Sequence, residues 1–416
     1  MTIDLYLNPR SATRAASPLS AAGFDAARAE IQSWPGYAPT PLRELPGLAA
    51  ALGIGRLWYK DEGPRFGLGS FKALGGAYAV LRVVQRAVEL RTGERTGSAG
   101  LVAGRHREIA REVTVTAATD GNHGRAVAWG ARLFHCRCVI FVHPGVSRGR
   151  RAAIARFGAE VVEVPGTYDD SVRHAAAEAA RHGWTVVSDT SWPGYDEIPR
   201  DVMHGYGVLA DEVAAQLAPG ERPSHVLLHA GVGAFAASVM ARLAQLWPGE
   251  RESERSRFVV VEPEKAACCL ASIRAGRPVA LAGDVDTVMA GLACGEMSPL
   301  AFPILAGGAE AFVAIEEKWA PAAVRRLAEP ARGDPPVVAG ETGAAGVAAL
   351  LAVAEDRAAR EALGLDAGAR VLVFGSEGAT DPEIYRAIVG RDAAEVGRAQ
   401  DEPGSSGTGS AGSDGG

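Results

Sequence analysis

The chain has 416 residues, 47% hydrophobic and 22% charged, with a formal net charge of -6 at pH 7. That balance excludes a mainly disordered chain, a collagen and a coiled coil, and it leaves no basic footprint for nucleic acid. At about 100–200 residues per domain, the length predicts two or three domains.

The start, Met1-Thr2-Ile3-Asp4, lacks the basic and apolar regions of a signal peptide. No apolar run reaches the roughly 18 residues that a spanning helix needs. Five cysteines are too few for a disulfide framework in a chain this long. A reduced cytoplasmic setting, away from membranes, is therefore expected. An apolar helical run, Ala73 to Val84, follows the glycine-rich stretch Gly67 to Gly76, and Arg91 to Ser98 is a polar loop. Strands are predicted at Val113–Thr116, Cys138–Val142, Glu160–Val164 and Thr185–Ser188. Helices alternate with them at Asn122–Phe134, Arg148–Phe157 and Asp169–His182. The alternation resumes with strand Val226–His229, helix Ala234–Leu246, a polar loop at Arg251–Arg257 and strand Phe258–Val261, and it closes with strand Val371–Phe374. Short strands alternating with helices imply βαβ units. The fold class is α/β, with two parallel-sheet, three-layer domains and ligands at the carboxyl ends of the strands. Residues 1–75 and 215–400 are expected to form the larger domain, 76–214 the smaller, and 401–416, nearly all small and polar, a disordered tail.

Four glycine-bearing clusters carry the chemistry. Lys72, in Ser70-Phe71-Lys72, opens a helix, where the macrodipole disfavours a cation. It is expected to lose its proton readily, as a Schiff-base lysine must, although a solvated lysine in a turn explains it equally well. Thr119-Asp120-Gly121-Asn122-His123-Gly124 sits between a strand and a helix, where backbone N–H groups favour an anion. Asn122 is suited to donate to a phenolate oxygen, and the bland reading of Asp120 is a helix N-cap. Gly231-Val232-Gly233-Ala234 is a phosphate cradle by construction. It also matches the dinucleotide pattern G-x-G-x-x-A, with Glu262 ending the next strand, so an oxidoreductase stays open. Ser376, in Gly375-Ser376-Glu377-Gly378, is placed to bond a pyridine nitrogen. His135, Cys136, Cys138 and His143 match no usual zinc spacing, so these cysteines, like Cys268 and Cys269, read as structural and no metal is expected.

Taken together and in this order, the clusters resemble the pyridoxal-phosphate (PLP) enzymes of the tryptophan synthase β-like fold, fold type II. The likeness runs from about residue 35 to 390. Thr119 to Arg125, Ser188-Asp189-Thr190-Ser191-Trp192, Gly291 to Glu296, Glu341 to Gly346 and Glu377 to Pro382 resemble most the ammonia-lyase branch that acts on diaminopropionate. Met297 and Thr342 depart from that branch, which usually has Pro and Ser there. The resemblance implies an amino-acid-catabolising homodimer with a small amino-acid substrate. Lys72 would bind the cofactor covalently, Asn122 its phenolic oxygen, Gly231, Val232 and Gly233 its phosphate, and Ser376 its pyridine nitrogen. A neutral hydroxyl at Ser376 would leave that ring unprotonated and favour β-elimination. Asp120 and Asp189 would offset desolvation of a β-ammonium substrate. Lys72 and Asp120 would each serve one enantiomer as base. A serine or threonine dehydratase on the same fold is the alternative reading.

Overall fold

The computed structural model describes residues 3–11, 17–119, 121–248, 255–330 and 333–401. Among the described residues there are eleven strands: β1 (Ile3–Leu7), β2 (Leu42–Glu44), β3 (Arg56–Asp61), β4 (Thr114–Ala118), β5 (Arg137–Val142), β6 (Glu160–Glu163), β7 (Thr185–Val186), β8 (His225–His229), β9 (Arg257–Pro263), β10 (Ala311–Ile315) and β11 (Arg370–Gly375). They form a seven-stranded sheet in the order β1-β10-β9-β8-β11-β3-β2 and a four-stranded sheet in the order β6-β5-β4-β7.

The small sheet is parallel throughout, and so are the five inner strands of the large one. The sheets are parallel as expected, and the outer pairs β1/β10 and β2/β3 add antiparallel edges to the larger one. Residues 45–55, between β2 and β3, are fewer than the dozen or so that a parallel crossover needs. Alternate residues of the large sheet enter opposite cores. Val226, Leu228, Val260, Phe312 and Leu372 face one, while Leu227, Val259, Val261, Val313 and Val371 face the other. Burial on both faces makes three layers and explains why these strands read as continuous apolar runs.

Between the sheets lies the helix Lys72–Thr92, buried over most of its circumference. It packs on the helices Asn122–Leu133 and Glu197–Tyr206. At Gly205 a Cβ would stand 2.1 Å from the Leu74 carbonyl oxygen, so only glycine permits that approach. This helix spans the expected division between residues 75 and 76.

Other boundaries shift modestly. The helix Ala234–Leu246 is as expected, whereas the strand expected over Thr185–Ser188 stops at Val186. There the Ser188 N–H goes to the Tyr195 hydroxyl instead of a strand partner. Arg91 and Thr92 belong to the long helix and Ser98 to the next, leaving 93–97 as the loop. Of the loop expected at 251–257, residues 251–254 lie outside the described ones and Arg257 opens β9. Of the expected tail, Asp401 ends the helix Ala393–Asp401 and 402–416 lie outside the described residues. Among the described residues, no helix is long and apolar enough to cross a membrane.

Candidate active site

The approach to Lys72 is fixed by the turn after β11. Ser70 bridges Glu377, the Phe71 N–H donates to the Ser376 carbonyl at 3.0 Å, and the Gly378 N–H to the Gly69 carbonyl at 2.9 Å. Lys72 is the first residue of its helix, as expected. Its Nζ donates to Asp189 Oδ2 at 2.5 Å, and the two side chains are only 21% and 22% exposed. The expectation of a readily lost proton is thereby reversed. Burial opposes the charge, but the adjacent Asp189 carboxylate holds the ammonium well above the usual lysine range. Burial likewise works against ionised Asp189, yet Lys72, and His123 after it, hold its carboxyl far below the usual range.

Asp189 is framed from several sides. His123 Nε2 bonds the Val187 carbonyl at 2.8 Å, so this nitrogen carries a proton, and Nδ1 is buried without a partner. The Tyr195 hydroxyl bonds the Val186 carbonyl at 2.8 Å. Asn122 opens the helix after β4. Its Oδ1 accepts from Arg125 at 2.6 Å, and its amide donates to Glu377 Oε2, which leaves a second amide proton for a ligand. Asp120 lies outside the described residues. The N-cap position belongs to Gly121, and the Thr119 hydroxyl accepts the N–H groups of Gly121 and Gly124, both at 3.1 Å.

β8 and β11 are neighbours, which brings the Gly231 loop beside Ser376. A Cβ on Gly231 would stand 2.8 Å from Cys294 Sγ, and Gly233 has φ +87°. The helix Ala234–Leu246 has no side-chain cap, so its first N–H groups are available to an anion. Ser376 is buried. Glu262 is fully buried, and its carboxylate accepts from the Cys269 N–H at 2.7 Å and the Leu270 N–H at 2.8 Å. It caps the helix Cys268–Ala275 and is unavailable to a ribose, which removes the dinucleotide reading. The model of the family described as pyridoxal-phosphate dependent enzyme matches residues 33–377.

The chain belongs to this PLP-dependent family.

It is 40% identical over 371 residues to the diaminopropionate ammonia-lyase of Escherichia coli strain K12, covering 87% of this chain and 90% of that one. Among solved structures, it is similar to the E. coli diaminopropionate ammonia-lyase in complex with D-serine, with a TM-score of 0.85 and 38% identity. It is also similar to the same enzyme in complex with an aminoacrylate-PLP azomethine reaction intermediate, with a TM-score of 0.83 and 37% identity. Each match covers 93% of this chain and 96% of the other. The expected kinship and fold type are thus borne out.

The residues present fit PLP. A loop with glycines at two of three positions, at an uncapped helix N-terminus, suits its phosphate, and a half-buried lysine is available to its aldehyde. His229 Nδ1, close to Lys72, is buried without a partner, and the buried Tyr206 hydroxyl lies beside Lys72. Burial, then Lys72, pushes the His229 imidazole down to about 3, so it is neutral. Sequence reasoning assigned no role to Glu377, His123, His229 or Tyr206. Only Glu377 and His123 fell inside a motif that singles them out; nothing local marks His229 or Tyr206. Thr342, a departure from the branch, accepts the Gly291 N–H at 3.1 Å and so holds the loop facing Gly231.

Proposed function

We propose that this PLP-dependent enzyme is an ammonia-lyase that converts 2,3-diaminopropionate and water to pyruvate and two ammonia. One observation carries the reading: a partly buried carboxylate, Asp189, holds a primary ammonium at 2.5 Å beside the anion loop. In this structure that ammonium is Lys72. Once Lys72 is engaged with the cofactor, the same carboxylate is free to receive a substrate's β-ammonium, which serine and threonine lack.

When bound, PLP supplies the sink for the electrons left at Cα. Lys72 would hold its aldehyde and would take the Cα proton of one enantiomer. Asp120, one residue beyond Thr119, serves the other. The first N–H groups of the Ala234–Leu246 helix, with Gly231, Val232 and Gly233, hold the phosphate. Asn122 offers its remaining amide proton to the phenolic oxygen, and Ser376 its hydroxyl to the ring nitrogen. Asp189 keeps the β-nitrogen protonated as its bond to carbon breaks, so the electron pair leaves with ammonia. The enamine released takes up water and loses the second ammonia.

We also infer a homodimer and a division into a larger part (1–75 and 215–400) and a smaller one (76–214). Sedimentation tests the dimer. The function is tested by pyruvate release from D- and L-diaminopropionate and from serine, with 2-oxobutanoate followed for threonine. Diaminopropionate should be the preferred substrate. Faster turnover of serine or threonine would assign the chain to the dehydratases instead. Borohydride reduction and mass spectrometry should place the cofactor on Lys72.

A further inference from the structure

Ser298 precedes the helix Ala301–Gly308 and is fully buried. Its backbone is committed to the large sheet's side of the cleft. The N–H donates to the Val232 carbonyl of the phosphate loop at 2.8 Å, and the carbonyl accepts from Ala301 at 2.9 Å and Phe302 at 3.1 Å. Only the hydroxyl is left, and it points across to Ser191, two residues after Asp189. Ser298 Oγ accepts the Ser191 N–H at 3.2 Å and lies 2.9 Å from Ser191 Oγ, which in turn accepts the Leu300 N–H at 3.1 Å. These bonds close a ring between the loop that holds the phosphate and the segment that carries Asp189. A hydroxyl buried this completely is costly unless it is bonded, and alanine would fill nearly the same space.

We propose that Ser298 and Ser191 are positioning residues that couple occupancy of the phosphate loop to the placement of Asp189, and hence to selection of a β-ammonium substrate. The second half of this statement rests on the proposed function. The first half does not. A small displacement of Asp189 is enough to matter, because about 1 Å of misplacement can cost on the order of 100-fold in rate.

Hydrogen–deuterium exchange of the full chain, with and without PLP, tests the coupling. In the wild type, PLP should slow exchange in 188–195 about tenfold. Ser298→Ala should abolish that protection while the amides of 231–236 remain protected, because the backbone bond to Val232 survives. The same variant should lower the ratio of kcat/KM for diaminopropionate over that for serine by about tenfold or more. Ser191→Ala, which keeps the Ser191 N–H on Ser298 Oγ, should act in the same direction, and the double variant should fall short of the sum of the two single ones, because they share the Oγ–Oγ bond. Should Ser298→Ala be insoluble, Ser191→Ala reads the same bond from the other side. Undiminished PLP-dependent protection in 188–195 of a soluble variant overturns the proposal, and so does additivity in the double variant. If the wild type does not turn over diaminopropionate, the proposed function falls, while the exchange measurement still decides the bridge.

Discussion

At the level of single residues, the proposed chemistry turns on one ion pair. Asp189 holds the Lys72 proton in place, so removing its charge changes two things at once. Asp189→Asn should lower kcat/KM for diaminopropionate by about 100-fold, the usual scale for losing a positioned charged group, and affect serine far less. It should also let Lys72 release its proton at lower pH. The pH midpoint for forming the visible cofactor adduct from apoenzyme and PLP should then move down, and an unmoved midpoint would show that Asp189 does not govern Lys72. Lys72, Asp189, Asn122 and the Gly231 loop were legible in the sequence because each sits at a strand-to-helix junction with a local signature. The partners that set their behaviour were not. Glu377 meets Asn122 from 255 positions away and Ser298 meets Ser191 from 107, and no local pattern reports such a meeting. The helix-dipole argument for Lys72 failed for the same reason, since a carboxylate 117 positions distant outweighs it.

At the level of elements, the inner strands β4, β5, β8, β9 and β11 announced themselves as apolar runs, whereas β3 and β10, just as buried, went unread. β2, with two charged residues among three, went unread too, and the strand expected over 185–188 shrank to the two-residue β7. The glycine loop after β8 was readable because its requirement is steric. Gly233→Ala should cost about 1–2 kcal/mol for forcing a side chain into the left-handed region. Its Cβ would also crowd Ala301 and Cys269 at 3.2 Å. PLP affinity, measured by fluorescence titration, should therefore fall alongside the unfolding midpoint. The adjoining helix Cys268–Ala275 hangs on Glu262, whose carboxyl is pushed up to about 8 by burial despite its two backbone donors. A carboxyl raised in the folded state binds its proton more tightly there than when unfolded. Its contribution is complete below the unfolded value near 4.5 and fades as pH rises towards 8. The Tm advantage of the wild type over Glu262→Gln should accordingly shrink between pH 5 and 8. An advantage that stays constant over that range would mean Glu262 is ionised throughout.

For the whole molecule, the segment that delivers Lys72 to the cleft is braced by a buried charge network. Arg65 donates two bonds to Glu212, both at 2.7 Å, and two to Glu62, both at 2.8 Å. Lys60 Nζ reaches Glu212 at 2.6 Å, the Thr40 carbonyl at 2.7 Å and Gln216 at 2.9 Å. Two cations and two anions cancel, and none of the four side chains is more than 2% exposed. Glu212 comes from a helix, Val208–Gln216, that follows the small sheet in the chain, whereas Lys60 and Arg65 flank the end of β3. The network thus fastens the chain's return from the small sheet to the start of the Lys72 segment. Glu212→Ala would leave two buried cations facing one anion, at a cost of about 3–5 kcal/mol. Its pH dependence separates this cause from lost packing. Burial already lowers the Lys60 pKa, and without Glu212 it should fall further. A lysine that binds its proton less tightly in the folded state favours folding as pH rises. The deficit of Glu212→Ala in denaturant midpoint should therefore be largest near neutrality and shrink towards pH 10. A deficit that stays constant over that range would assign the loss to packing alone.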